Sequence, residues 1–127
     1  MEIRPGLEII EEIEGSGSEV SRHNYYRIRL RLWLNRGDPV CWSAPWGVGN
    51  RAELSDDGAV LTTDVRLDRE QLFNGLFYGV LGMHIGGKRK LRIAPHLAYG
   101  EAGLPCVIPE NALLTAEIEI LGEVISR

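Results

Sequence analysis

The sequence predicts an α+β domain dominated by strands and interrupted by one short helix. Three observations carry this. Between Tyr26 and Leu34, apolar Tyr26, Ile28, Leu30, Leu32 and Leu34 alternate with Arg27, Arg29 and Arg31. That is the period of two that sends successive side chains to opposite faces of a strand. Late in the chain Ala116, Ile118 and Ile120 alternate with Glu117 and Glu119 in the same manner. Between these runs Leu72, Phe73, Leu76, Phe77 and Val80 recur at the spacing of one helical face.

Taken in order, the first element, Leu7 to Gly15, has two readings. Its acidic residues suit an amphipathic helix, while Ile9 and Ile10 suit a strand, and "GSGSE" ends it either way. The strand from Tyr26 closes at the turn "NRGDP". The segment "VCWSAPWGVGNRAE" has no period, because Pro45, Gly47 and Gly49 break it. "SDDG", Ser55 to Gly58, reads as a hairpin tip before the strand "AVLTTDVRL". Asp68 reads as an N-cap with Glu70 in the first turn, which sets the helix at about Arg69 to Leu81. Gly75, Gly79 and Gly82 weaken that helix by roughly 1 kcal/mol each relative to alanine. Gly75 and Gly79 also stand one turn apart, a spacing that admits close approach of another backbone. A basic strand follows in "IGGKRKLRIAP", with Leu91 and Ile93 inward, and "ALLTAEIEILGEVIS" ends the chain as a long strand.

Bulk properties narrow the function classes. The 127 residues amount to one domain, 44% apolar and 25% charged, with no repeats, linkers or low-complexity tracts. Fourteen basic residues against 18 acidic give a net charge of −4, which argues against general attraction to nucleic acid or an anionic membrane. No apolar run reaches the roughly 20 residues of a membrane span. The acidic opening "MEIRPGLEIIEEIEG" lacks a basic-then-apolar signal pattern, so a cytoplasmic location is expected. Cys41 and Cys106 are read as two independent small buried residues rather than a redox pair. His23, His84 and His96 are too scattered for a metal site. The run "KRKLR", Lys88 to Arg92, reads as a solvated strand face opposite Glu117 and Glu119.

One loop stands apart. "AYGEAGLPCVIPENA" carries the loop markers Gly100, Gly103, Pro105 and Pro109, yet holds Cys106, Val107 and Ile108 at its centre. Such residues either fold back onto the core or are offered to a ligand.

From Asn74 onward the chain resembles an FKBP-type peptidyl-prolyl isomerase domain. The residues that carry the resemblance are "GLFYGVLGMHIGGKRKLRIAPHLAYGEAGLPCVIPENALLTAEIEIL". They follow the family's order of short helix, Gly-Met-x-x-Gly-Gly-Lys-Arg turn, strand ending in Pro, Ala-Tyr-Gly, Gly-containing loop, Val-Ile-Pro and Glu-rich last strand. Upstream, "YRIRLRLWLNRGDPV" is similar to the family's strand-and-turn, less closely. The resemblance implies a twisted antiparallel sheet wrapped around one short helix, spanning residues 1–127, with an extended connection at about 42–66.

It also implies a function. Tyr99, Val107 and Ile108 correspond to residues facing an apolar cleft that takes a prolyl peptide. Leu72 and Phe73 match a wall that presents a backbone N–H, and Leu76 matches the floor. Leu30, Val40 and Cys41 occupy further cleft positions. Tyr99 and the Phe73 N–H would be the catalytic groups, with no metal or cofactor, and proline-containing protein segments would be the partners. Several family aromatics are absent: Leu30 replaces a tyrosine, Val40-Cys41 a Phe-Asp pair, Leu76 a tryptophan and Ala116 a phenylalanine. Weak isomerase activity is the expectation, with a non-catalytic binding module as the alternative. Trp42 and Trp46 either rebuild the missing wall or anchor the 42–66 connection onto the sheet.

Overall fold

The computed structural model describes residues 2–35, 37–42, 52–100, 103 and 108–124. Its strands are β1 (Glu2–Arg4), β2 (Leu7–Ile13), β3 (Tyr25–Leu34), β4 (Glu53–Leu54), β5 (Leu61–Arg66), β6 (Lys88–Ile93) and β7 (Leu114–Val124). They form one antiparallel sheet in the order β1-β2-β6-β7-β3-β5-β4. The helix α1 (Asn74–Val80) lies against its inner face, and a 3-10 turn spans Pro95–Leu97. Among the described residues no helix is long and apolar enough to cross a membrane.

Alternation decides the core. On β3, Tyr26, Ile28, Leu30 and Leu32 are buried, and on β7 so are Leu114, Ala116, Ile118 and Ile120. The two strands run side by side with Leu30 opposite Ile118 and Leu32 opposite Ala116. Leu61 and Val65 continue this face on β5, and Leu91 and Ile93 do so on β6. The "SDDG" hairpin tip is present, with Gly58 at φ +75 and its N–H donating to the Ser55 carbonyl. The segment from Leu7 is a strand, which resolves the open choice there. Leu7 and Ile9 are buried against the core while β6 pairs with the backbone.

The helix departs from the sequence expectation. It begins at Asn74, because Phe73 is extended with ψ 159 and breaks the turn that precedes it. Asp68 does cap, but it caps that earlier turn, accepting the N–H groups of Glu70 and Gln71 at 3.0 Å each. Burial raises the Asp68 carboxyl pKa, but hydrogen bonds from Arg66, Gln71 and Glu70 outweigh it and hold the group below its ordinary value. The glycines act as expected of close approach. A Cβ on Gly75 would stand 2.4 Å from Ile93 Cγ2 and 2.9 Å from the Leu97 carbonyl oxygen, and one on Gly79 would stand 2.4 Å from Leu91 Cδ1. The helix thus sits directly on β6.

Two further expectations are corrected. Arg89 is not on a solvated face: it shares the inner side with Leu91 and Ile93 and is buried. Its guanidinium donates to the carbonyls of Gly79 at 2.9 Å and Leu81 at 2.8 Å, and it also binds Glu12. A cation at the carbonyl end of a helix meets both the dipole and the unpaired acceptors there. Cys41 is exposed rather than buried, because the preceding Val40 takes the core position, 1% exposed.

The outer face alternates in sign from strand to strand. Acidic β2, basic β6, acidic β7 and basic β3 lie side by side, and Asp64 follows on β5. Ion pairs link them: Glu8 with Arg92 at 3.0 Å, Glu117 with Lys88 at 3.8 Å, Glu119 with Arg29 at 3.0 Å, and Asp64 with Arg27 at 3.0 Å. The short β1 is held to the helix by Arg4, whose guanidinium lies 3.7 Å from the centre of the Tyr78 ring.

Candidate active site around Phe73 and Tyr99

The hinge between the Asp68 turn and α1 sets the site. Phe73 is extended there, so its backbone does not continue the turn before it. Tyr99 is reached by another route: β6 ends at Ile93, and the 3-10 turn Pro95–Leu97 redirects the chain. The N–H groups of Ala98 and Gly100 both donate to the Pro95 carbonyl and tighten this corner. Gly100, at φ +63, takes the left-handed conformation that a side chain would resist.

These two routes bring Phe73 and Tyr99 into contact. Their ring centroids are 5.1 Å apart and tilted by 53°, within the range favoured by aromatic pairs. Both are partly buried and pack on the core. Among the described residues the Tyr99 hydroxyl has no hydrogen-bond partner, and the Phe73 N–H has none on the backbone. Burial alone pushes the Tyr99 hydroxyl up to about 12, so the group is a neutral donor across the physiological range. The pair therefore offers two unspent donors beside apolar surface.

The other sequence-derived candidates fall into different classes of burial. Leu30 and Leu76 are 0% exposed, and Val40, Leu72 and Ile108 are buried with them in one cluster. Leu72 also borders a small internal void shared with Tyr26, Val80 and Ile118, so part of its surface faces away from the Phe73–Tyr99 pair. Cys41 is exposed. Val107, Cys106 and Trp46 lie outside the described residues, as do residues 43–51 of the 42–66 connection. Trp42 donates its backbone N–H to the Gly58 carbonyl at 2.9 Å and packs partly buried on the core. Sequence reasoning passed over Thr63, which is fully buried on the inner face opposite Ile28. The signal was available, since period two from Leu61 to Val65 puts Thr63 between them.

Comparison with known proteins bears on this arrangement. The family described as FKBP-type peptidyl-prolyl cis-trans isomerase matches residues 54–121, a span that takes in Phe73, Tyr99 and Ile108. "FK506-binding protein 1A" of Neurospora crassa is 37% identical over 120 residues, covering 92% of this chain and 88% of that protein. "Peptidyl-prolyl cis-trans isomerase FPR2" of Saccharomyces cerevisiae is 47% identical over 51 residues, 40% of this chain and 38% of that one. Other matched relatives are longer proteins of which the aligned part is a minor share. A solved structure titled "Crystal structure of AtFKBP13" superposes with a TM-score of 0.73 at 27% identity, covering 94% of each chain. With sequence and fold in agreement, the chain belongs to the FKBP-type peptidyl-prolyl cis-trans isomerase family, and its activity is the rotation of Xaa-Pro bonds.

Proposed function

We propose that the prolyl bond is rotated against the Phe73–Tyr99 pair, with Tyr99 and the Phe73 N–H as the catalytic donors. Leu76 and Ile108 support the apolar floor and rim, and Leu30, Val40, Leu72 and Cys41 complete the surround. Val107, outside the described residues, is assigned to the rim by the family resemblance alone. The observation that carries this reading is the ring contact at 5.1 Å between two residues whose donors are unspent.

The chemistry needs little more. Amide resonance raises a barrier of about 18–20 kcal/mol to rotation about a peptide bond. The twisted transition state has lost that resonance and carries a less polar carbonyl than the planar ground state. An apolar surface that excludes water therefore disfavours the ground state more than the transition state, which is differential binding without nucleophile or base. Tyr99 O–H donates to the substrate carbonyl and fixes which face is twisted, while the Phe73 N–H holds a neighbouring carbonyl. Because Leu30, Leu76 and Ala116 replace larger aromatics, the apolar surface beside the imide is reduced, and each lost contact weakens desolvation at roughly 25 cal/mol per Å². Slow turnover and weak affinity for the family's macrolide inhibitors follow from that reduction.

The test is Tyr99→Phe, which keeps the ring and removes one hydrogen bond worth about 0.5–1.5 kcal/mol. Isomerisation of Xaa-Pro peptides should fall several-fold with little change in the melting temperature, and wild-type rates should show no loss from Tyr99 ionisation as pH approaches the ordinary tyrosine value of 10.0. An unchanged rate in the variant would remove the hydroxyl from the mechanism. The raised Tyr99 pKa adds a stability signature. The folded state favours the protonated hydroxyl, so this share of stability is complete below the ordinary value of 10.0 and is lost as pH rises through about 12. Tyr99→Phe should lack that alkaline loss.

A further inference from the structure

The large hydrophobic side chains that stand in solvent among the described residues are Ile3, Ile10 and Ile13. All three lie on the first two strands. β1 meets β2 only where Glu2 faces Glu8 and Arg4 faces Leu7. From Glu11 to Ile13, β2 is paired to β6 on one side, and no described backbone pairs with its other side. The four residues Ile10 to Ile13 are all exposed. An edge of this kind presents unpaired N–H and C=O groups, a template for another strand.

Charge selects the occupant. Glu12 is engaged by Arg89, but Glu11 and Glu14 are exposed and have no ion-pair partner among the described residues. A second copy of this chain would set the acidic edge against itself, and like charges placed opposite each other destabilise a strand pair. A basic strand would instead continue the sign alternation that runs through β2, β6, β7 and β3. We propose that the open half of β2, from Ile10 to Ile13, is a docking edge for an extended partner segment in which apolar residues alternate with Lys or Arg. Main-chain pairing supplies the strand addition and Ile10 and Ile13 the apolar contact, while Glu11 and Glu14, on opposite faces by the period of two, leave a carboxylate for the segment's basic face whichever way it lies.

The experiment titrates the isotope-labelled chain with a proline-free peptide of about six residues, the usual strand length, alternating valine and lysine. Amide shifts should centre on Ile10 to Glu14 and weaken as salt is raised. The same peptide with glutamate in place of lysine should bind at least about ten-fold more weakly, since it repeats the like-charge contact. The double variant Glu11→Lys, Glu14→Lys should invert that order of preference, while leaving isomerisation of Xaa-Pro peptides unchanged. Equal binding of both peptides would overturn the proposal. So would shifts centred elsewhere, no shifts at about 1 mM peptide, or concentration-dependent self-association through β2. If the double variant failed to fold, the peptide charge swap on the wild-type chain would still decide the matter.

Discussion

Leu30 and Arg29 are neighbours on β3 with opposite fates. Leu30 has no exposed surface and faces Ile118 across the strand pair. The Arg29 side chain stays 45% exposed and meets Glu119 at 3.0 Å. The same contrast repeats along the sheet. The inner face holds the helix through continuous apolar burial, which is proportional to area and is not screened by salt as charge pairs are. The outer face carries pairs of opposite charge in cross-strand register, each worth little in water. Inner contacts therefore supply the stability, while the outer pairs select which strand lies beside which. A slip of one residue would put charge into the core and leucine into solvent.

The largest expected effect breaks the inner face. Leu76→Ala should destabilise the protein by about 2–5 kcal/mol in denaturant melts, the range for a fully buried leucine. A loss of only a few tenths would mean that α1 does not pack as described. Gly75→Ala sharpens the same point. In an exposed helix this change gains about 1 kcal/mol, but here the added methyl meets Ile93 and the Leu97 carbonyl oxygen. The net effect should be a loss of about 1–3 kcal/mol, the cost of overpacking. A stabilised variant would show that β6 yields easily to the helix.

The smallest effects lie outside. Arg29→Met should cost less than about 1 kcal/mol, and the difference should vanish in high salt. Arg27→Met should cost more than Arg29→Met, because its partner Asp64 is buried at 5% exposure and loses a guanidinium at 3.0 Å. Equal costs for the two arginines, read from paired urea melts, would erase the distinction drawn within the outer face.

Legibility from sequence followed the strength of local pattern. β3 and β7 were readable because each repeats an apolar–charged alternation over many residues, and burial on one face leaves little choice of register. β1 was not readable, since three residues hold no period and its pairing depends on β2 being present. Within "KRKLR" Arg89 reads as solvent-facing, because charge in a run suggests water. Only the nearby helix end, with two carbonyls to satisfy, makes an inward guanidinium favourable. At the site, Tyr99 and Phe73 were named from the family pattern, but the division between them and the buried Leu30, Val40, Leu72 and Leu76 was not legible. Apolar residues of one type look alike in a string, whether they end in the core or at its rim.

The chain's own residues determined the strand faces, the turns at Gly58 and Gly100, the short glycine-weakened helix and the family. These rest on side-chain period, on backbone freedom and on an ordered motif, all of which are local. Tertiary structure alone decided that the helix starts at Asn74, that Arg89 turns inward and that Phe73 meets Tyr99 26 residues away in the chain. It also left the edge of β2 open from Ile10 onward. Each of these depends on what a distant segment offers, whether a carbonyl, a ring or a neighbouring strand, and the free energy of such a contact is not a property of either segment by itself.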